Sequence, residues 1–312
     1  MARRAPCVAF AAVASLEIKR NMAADDVAEI EPLLEAATRV DGEQALSDHQ
    51  WLDLVHGGRR GFAGLVAKET DGGVPVAYAQ VSRGNDSWSI ELVVDPDHRD
   101  RLTDLGRELV GAAVGIVVAE GGGHIHWWVT QATAAHAVVA EAVGLTAGRL
   151  LHQMRRPLPT GIPYSLETRP FVVGQDEEAW LEVNNRAFSW HPEQGGWTID
   201  TIRSREAEPW FDPEGFLLHE RDGRLAGFCW TKVHTDRDPV LGEIYVIAAH
   251  PDFHGGGLGK ALTLAGLDHL ARKGIGTGML YVDAENTAAV ALYEHIGFTI
   301  DHDDRAFVGD VS

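Results

Sequence analysis

The chemistry most plainly legible in this chain lies in seven consecutive residues, His254-Gly255-Gly256-Gly257-Leu258-Gly259-Lys260. They follow an apolar run that ends Glu243-Ile244-Tyr245-Val246-Ile247 and precede a helical pattern, so the glycines sit where a strand hands over to a helix. Glycine lets backbone approach a ligand closely, and the first N–H groups of a helix have no partner within it and lie at the positive end of its dipole. Together these properties suit a grip on phosphate. A bare Gly-rich loop also fits a turn or linker, so the flanking residues matter. Lys260 is the nearby permanent cation, which leaves most of the binding to backbone N–H groups and predicts modest affinity. Further on, Asn286 and Tyr293 lie seven positions apart, two turns along one helix face. Ahead of the loop, Glu243 places a carboxylate on the preceding strand.

These residues need elements to hold them, and the elements occur twice. Val94-Asp95-Pro96 and Ala249-His250-Pro251 both follow an apolar strand and precede a loop and helix, 155 residues apart; Gly144-Leu145-Thr146 and Gly297-Phe298-Thr299 both end an Ala-rich helix, 153 apart. A near-constant offset predicts a duplicated domain. Each half reads as two helices, a strand meander, the loop with its helix, then strand, helix and strand. In the first half helices are expected at 25–39, 48–56, 105–120 and 133–143, with strands near 62–67, 74–81, 87–94, 124–129 and 150–154. In the second, helices are expected at 177–188 and 199–207 and strands at 216–220, 225–233 and 243–247, with Asp222-Gly223 as a hairpin turn. The fold class is therefore α/β (α+β). Its expected division is an extension over 1–15, a first domain over 16–156, a linker over 157–164 rich in proline, and a second domain over 165–312.

Composition excludes several classes. Among 312 residues, 45% are hydrophobic and 8% aromatic, as in folded globular proteins. The formal net charge of -19 argues against nucleic acid or an anionic membrane surface as partner. The two cysteines, Cys7 and Cys229, are too few for a disulfide framework and point to a reducing, cytoplasmic setting. His124 and His126 alternate along a strand without a carboxylate or Cys at ligand spacing, so no metal is expected. Ala5 to Ala14 after Arg3-Arg4 loosely imitates a signal peptide but is short, and reads as a disordered extension. A monomer is the working expectation for assembly.

The order strand, Gly-rich loop, helix resembles the Q/R-x-x-G-x-G/A loop of the GNAT acetyltransferase superfamily, and Asn286 to Phe298 resembles its N-A-x-x-L-Y-x-x-x-G-F segment. The resemblance implies two tandem GNAT-like domains, each a mixed, largely antiparallel sheet flanked by helices, and acetyl-CoA as cosubstrate. It assigns the cosubstrate to Ile247, Ala248 and Ala249, to the loop from His254 through Gly255, Gly256, Gly257, Leu258 and Gly259 to Lys260, and to Asn286, Thr287, Ala288, Ala289, Val290 and Ala291. His254 departs from the pattern, which has Arg or Gln there. Acetyl transfer to an amine needs a neutral amine, a polarised carbonyl and a proton for the departing thiolate. In the implied roles Glu243 is the general base, Tyr293 the acid for the sulfur, and backbone near Ile247 holds the carbonyl. Aligned on Pro96 and Pro251, Glu243 faces Trp88; aligned on Gly144 and Gly297, Tyr293 faces Ala140. The first copy lacks both groups, and its loop from Arg99 to Gly106 keeps one glycine and adds aspartates, so chemistry is expected in the second copy alone. Leu92, Val93, Val94, Arg99 and Arg101 mark where the first copy would hold a CoA.

Further segments, among them Asn184 to Phe188, His191 to Trp197, Trp210 to Gly215 and Gly227 to His234, resemble the mycothiol synthase family. Its members acetylate the cysteinyl amine of the pseudodisaccharide Cys-GlcN-Ins. This implies acceptor contacts from Glu193, Lys232, Glu243 and Tyr281, with Asp48 reaching across from the first domain. Another small-molecule or peptide N-acetyltransferase fits the CoA motif alone, and a non-catalytic acetyl-CoA sensor is the alternative of a different class, against which the Glu243 and Tyr293 pair speaks.

Overall fold

The computed structural model describes residues 15–55, 61–69, 73–84, 87–189, 195–235 and 237–312; the side chains of residues 48, 49 and 52 lie outside the description. In chain order the elements are β1 (Ser15–Lys19), α1 (Ala24–Asp41), α2 (Asp48–Val55), β2 (Ala63–Lys68), β3 (Pro75–Arg83), β4 (Trp88–Val94), α3 (Leu102–Ala119), β5 (Gly123–Thr130), α4 (Ala134–Ala142) and β6 (Thr146–Pro157). They continue with β7 (Arg169–Pro170), α5 (Glu177–Ala187), α6 (Ile199–Glu206), β8 (Phe216–Arg221), β9 (Arg224–His234), β10 (Leu241–Ala249), α7 (Leu258–Arg272), β11 (Thr277–Asp283), α8 (Thr287–His295) and β12 (Thr299–Val311). Among the described residues no helix is long and apolar enough to cross a membrane.

The chain forms two compact units, Met1–Leu150 with Asp303–Ser312, and Leu151–His302. This differs from a division at 157–164 that leaves all of 165–312 in one domain. The reason is the length of two strands. β6 starts in the first unit but from Leu151 onward pairs with β11, as in Met279↔Arg155 and Asp283↔Leu151. β12 does the reverse, and from Asp304 to Val311 it pairs with β5. Pro157, read from sequence as the start of the linker, belongs to β6, and the buried Arg156 before it donates to the carbonyls of Ile296 and Thr160. β1 has no counterpart in the sequence expectation. Leu16 and Ile18 alternate with Glu17 and Lys19, the period of a strand, and β1 pairs antiparallel with β2.

In the first unit β1 to β4 are antiparallel neighbours, and β4 meets β5 in parallel. One sheet face packs Leu105, Leu109 and Val117 of α3 and Val139 of α4 against Ile90, Trp127 and Phe307. The other packs Ile30, Leu33 and Leu34 of α1 against Val66, Tyr78 and Val93. Both faces are covered because strand alternation puts apolar residues on each.

The second unit repeats the plan. Leu262, Leu267 and Leu270 of α7 and Tyr293 of α8 cover Cys229, Ile244 and Leu280 on one face. On the other, Trp180 and Val183 of α5 and Ile202 of α6 cover Phe216, Phe228, Trp230 and Val246. That second core is aromatic: Phe216 stacks on Trp230 at 4.3 Å and on Phe171 at 4.4 Å, arrangements worth about 0.5–1.5 kcal/mol each beyond area burial. The hairpin between β8 and β9 turns at Asp222 (φ 53) and Gly223 (φ 71), two successive left-handed residues as a two-residue turn requires.

The register corrects one residue of the internal comparison. Ala249↔Gly227 down to Val246↔Trp230 in β10 matches Val94↔Ala77 down to Glu91↔Gln80 in β4. There β10 carries a bulge: the pairing passes from Val246↔Trp230 to Ile244↔Thr231, so Tyr245 is an extra residue. Beyond it Glu243↔Lys232 matches Ser89↔Ser82, and the counterpart of Glu243 is Ser89 rather than Trp88. Tyr293 keeps Ala140, since Phe298 N–H donates to the Tyr293 carbonyl (3.0 Å) as Leu145 N–H does to that of Ala140 (2.8 Å).

Candidate active site

β10 and β11 are parallel neighbours only at Gly242↔Gly278 and Glu243↔Met279. Past Glu243 they part, while Ile247, Ala248 and Ala249 stay paired to Cys229, Phe228 and Gly227 of β9. Their other edge therefore lines a split in the sheet. Chain continues from Ala249 through a short turn capped by His250, whose Nδ1 accepts from Asp252 N–H at 3.0 Å. In the first unit Asp95 does the same for Asp97 N–H, at 2.9 Å.

Next come Gly255 (φ 96), Gly256 (φ 59) and Gly257 (φ 79), all exposed. A run of left-handed residues is costly for anything but glycine, about 1–2 kcal/mol each, which explains three in succession. It turns the chain so that Gly257 caps α7 with Leu258, Gly259 and Lys260 as its first residues. Among the described residues the N–H groups of Gly256, Gly257, Gly259 and Lys260 have no backbone acceptor. A Cβ built on Gly255, Gly256 or Gly257 meets nothing within 4 Å, so it is the backbone conformation and not crowding that calls for glycine here. This cradle fits a pyrophosphate. His254 turns its ring back to the strand end, where Nε2 donates to the carbonyl of Ala249 at 3.0 Å and ties the loop down.

The first unit has the split, with β4 and β5 paired over Trp88↔Ile125 to Ile90↔Trp127, but no cradle. A 3-10 turn from Pro96 to Arg101 runs straight into α3. Arg99 and Arg101, the residues marked for CoA there, face carboxylates: Arg99 forks onto Asp41 with two contacts of 2.7 Å, and Arg101 reaches Glu69 at 2.7 Å. Gly106 serves packing, since a Cβ on it would stand 2.8 Å from Val139. Leu92, Val93 and Val94 are partly or fully buried strand residues.

Glu243 is 7% exposed and lies on the sheet face toward α5 and α6, because its neighbour Ile244 packs into the α7–α8 core. Its Oε2 is 2.8 Å from Nε2 of His234, a residue absent from the sequence expectation. Alternation was the available signal: His234 lies two residues after Lys232 on β9, and Lys232 is the cross-strand partner of Glu243. The Lys232 ammonium sits 4.6 Å from the centre of the Trp210 ring and 5.8 Å from that of Tyr245, the bulge residue. By register Met279 and Tyr281 share this face, and the exposed Tyr281 hydroxyl accepts from Gln153 Nε2 at 2.8 Å. Glu193 lies outside the described residues. Asp48 opens α2, its side chain likewise outside the description.

Tyr293 is buried in the α7–α8 core, edge to face with Phe298, and its hydroxyl has no hydrogen-bond partner among the described residues. Burial, with a smaller contribution from Cys229, pushes its phenol up to about 12. Asn286 does not join it: the side chain is exposed and caps α8, Oδ1 accepting from Ala289 N–H at 3.2 Å. Of the other α8 residues marked for the cosubstrate, Thr287, Ala288 and Ala291 are exposed and Ala289 and Val290 partly so. Thus Glu243 and Tyr293 stand on opposite faces of the sheet that splits beside them. Among the described residues no group of three or more His, Cys, Asp or Glu gathers to hold a metal.

Comparison with known proteins gives the family and the fold. Residues 178–298 match the model of the Acetyltransferase (GNAT) family. The chain is 44% identical over 303 residues to a mycothiol acetyltransferase of Streptomyces coelicolor, covering 94% of each, and 43% identical over 284 residues to one of Acidimicrobium ferrooxidans, covering 88% of this chain and 91% of that one. Among solved structures it is similar in fold to a GCN5-related N-acetyltransferase from Sphaerobacter thermophilus (TM-score 0.71, 24% identity, 95% of each chain). A tandem GNAT protein from the clavulanic acid biosynthesis pathway is a second (TM-score 0.67, 18% identity, 95% of this chain and 98% of that one).

Proposed function

The chain belongs to the mycothiol acetyltransferase family, and from that premise we propose that its second unit moves the acetyl group of acetyl-CoA to the cysteinyl amine of Cys-GlcN-Ins with Glu243 as base and Tyr293 as acid. It is an acetyl-CoA-dependent acetyltransferase of mycothiol synthesis. Acetyl-CoA supplies the activated acyl group as a thioester. The observation that carries the assignment to the second unit is the run of glycines from Gly255 to Gly259 that follows β10 after it parts from β11, with Glu243 and Tyr293 on the two faces of that sheet.

Open N–H groups of the loop and the first turn of α7 hold the pyrophosphate, and Lys260 adds a positive charge. Backbone at Ile247 to Ala249, unpaired toward β11, offers a hydrogen bond to the acetyl oxygen. Glu243 takes a proton from the amine as the nitrogen bonds to the acyl carbon. When the C–S bond breaks, its electron pair goes to sulfur, which takes the proton of the Tyr293 hydroxyl; exchange with solvent then removes the proton from Glu243 and restores the one on Tyr293. A phenol held near 12 stays protonated at any working pH, which suits a donor. Lys232 and Tyr281 receive the oxygens of a hydroxyl-rich acceptor, and Glu193 joins them on the strength of the sequence resemblance.

A competition assay tests the acceptor. Purified protein with acetyl-CoA and equal concentrations of Cys-GlcN-Ins, an aminoglycoside and a peptide with a free N-terminus is expected to yield N-acetylated Cys-GlcN-Ins in large excess by mass spectrometry. Preferred acetylation of either competitor overturns the substrate assignment.

A further inference from the structure

Glu243 is placed by a strand, but a strand sets only where a side chain starts. A glutamate has three rotatable bonds, and fixing them costs up to about 1.5–2 kcal/mol of entropy that a base in the right place must already have lost. The Cα partner of Glu243 across the ladder is Lys232, the obvious candidate to fix it. The Lys232 ammonium instead lies over the Trp210 ring. The group that meets the carboxylate is the diagonal neighbour, His234, with Nε2 2.8 Å from Oε2. Both side chains are largely buried, 14% and 9% exposed, so the contact is shielded from water and ions.

We propose that His234 is a positioning residue for the acetyl transfer: its Nε2–H holds Oε2 of Glu243 and leaves Oε1 to accept the amine proton. This rests on Glu243 being the base. A base is ionised when it acts, and an ionised carboxylate only accepts hydrogen bonds, so Nε2 carries the proton of the contact. The proton balance is simple. The amine loses one proton to Oε1 as the N–C bond forms, His234 keeps its own, and none crosses the pair. The arrangement parallels that in which a carboxylate orients a catalytic histidine, with the two roles exchanged. On the same face Lys232 on β9, Tyr281 on β11 and Arg155 on β6 carry ionisable groups with partners of their own: the Lys232 ammonium lies over the Trp210 ring, the Tyr281 hydroxyl accepts from Gln153, and Arg155 reaches Gln153 and Asp301.

Steady-state kinetics of four variants decide it, with acetyl-CoA affinity by calorimetry as the check on folding. His234→Ala is expected to lower kcat about 10- to 100-fold, within the range for an impaired general base, with the KM for acetyl-CoA within twofold of the parent. His234→Gln places an amide N–H where Nε2 was and is expected to recover kcat to within about threefold of the parent. A residue that acts only through Glu243 adds nothing once Glu243 is gone, so Glu243→Gln/His234→Ala is expected to match Glu243→Gln alone. A His234→Gln variant as slow as His234→Ala overturns the positioning role in favour of proton transfer through the ring. Parent-like kcat in His234→Ala, with Glu243→Gln inactive, overturns it while leaving the base assignment standing. Parent-like kcat in Glu243→Gln overturns both.

Discussion

Gly259→Ala should raise the stability of the free protein and leave its affinity for CoA within about threefold of the parent, because the loop pattern it resembles takes Gly or Ala at this place. Gly259 is the second residue of α7, has ordinary helical backbone, and a Cβ built on it has one neighbour, Leu292 Cδ2, at 4.0 Å. Nothing within the fold therefore requires glycine there. Replacing a helical glycine by alanine gains about 0.5–1 kcal/mol, the lower end being apt for a first turn. For a unit of this size that is a rise in Tm of about 1–4 °C. The new methyl points to Leu292 at ordinary contact distance, so phosphate oxygens can still come within hydrogen-bond distance of the N–H groups of Gly259 and Lys260. At a CoA concentration a hundred times the parent Kd, binding adds about 2.7 kcal/mol to stability; a tenfold weaker site adds about 1.4. Thermal unfolding with and without CoA reads both effects, and calorimetric titration gives Kd directly. A variant less stable without ligand would mean that the space around Gly259 is not open. One that binds CoA tenfold or more weakly would mean that the loop does not hold the pyrophosphate in the way the pattern implies.

Other consequences are as concrete. Tyr293→Phe should lower kcat about 100-fold, the usual scale for losing a general acid. Stability should change by less than about 0.5 kcal/mol, as for a substitution that breaks no named interaction, because the hydroxyl has no partner to lose. Burial raises the Tyr293 phenol to about 12, so the group stays protonated as pH rises; no fall in kcat assignable to it should occur below pH ~10, two units short of that value, and a fall that disappears in Tyr293→Phe would refute this. Gly266→Ala puts a Cβ 2.5 Å from Cys229 Sγ and 2.8 Å from Ile244 Cδ1 where α7 crosses the sheet. Overpacking of about 1–3 kcal/mol set against a helix gain of about 1 leaves a net loss of up to about 2, read in urea melts, and adding Cys229→Ala should return much of it. Independent, additive losses in the pair would contradict the packing seen there.

The glycine cradle was legible because backbone demands show in residue type. Three left-handed positions before a helix call for glycine, and Asp222-Gly223 marks its hairpin in the same way. What escaped the sequence depended on partners far along the chain. The C-terminal residues read as the end of the second domain, yet β12 pairs with β5, a choice among strand partners that local pattern does not encode. Tyr245 looked like an ordinary member of an apolar strand; only pairing with β9 exposes it as a bulge and moves the counterpart of Glu243 from Trp88 to Ser89. Asn286 and Tyr293 share a helix face by spacing, but the first caps the helix in solvent and the second is buried, because a cap residue sits outside the helical turn that spacing assumes. His234 was hidden for a similar reason: its bond to Glu243 crosses a hairpin diagonally.

The central claim is that acetyl transfer occurs in the second unit with Glu243 as its base. It is tested most directly by kcat/KM of Glu243→Gln for Cys-GlcN-Ins at saturating acetyl-CoA, measured beside calorimetric CoA affinity. Glutamine keeps the size and the hydrogen bond to His234 but cannot take a proton, so the expected result is a fall of about 100-fold or more with CoA affinity unchanged. A Glu243→Gln enzyme that acetylates Cys-GlcN-Ins at the parent rate would contradict the claim.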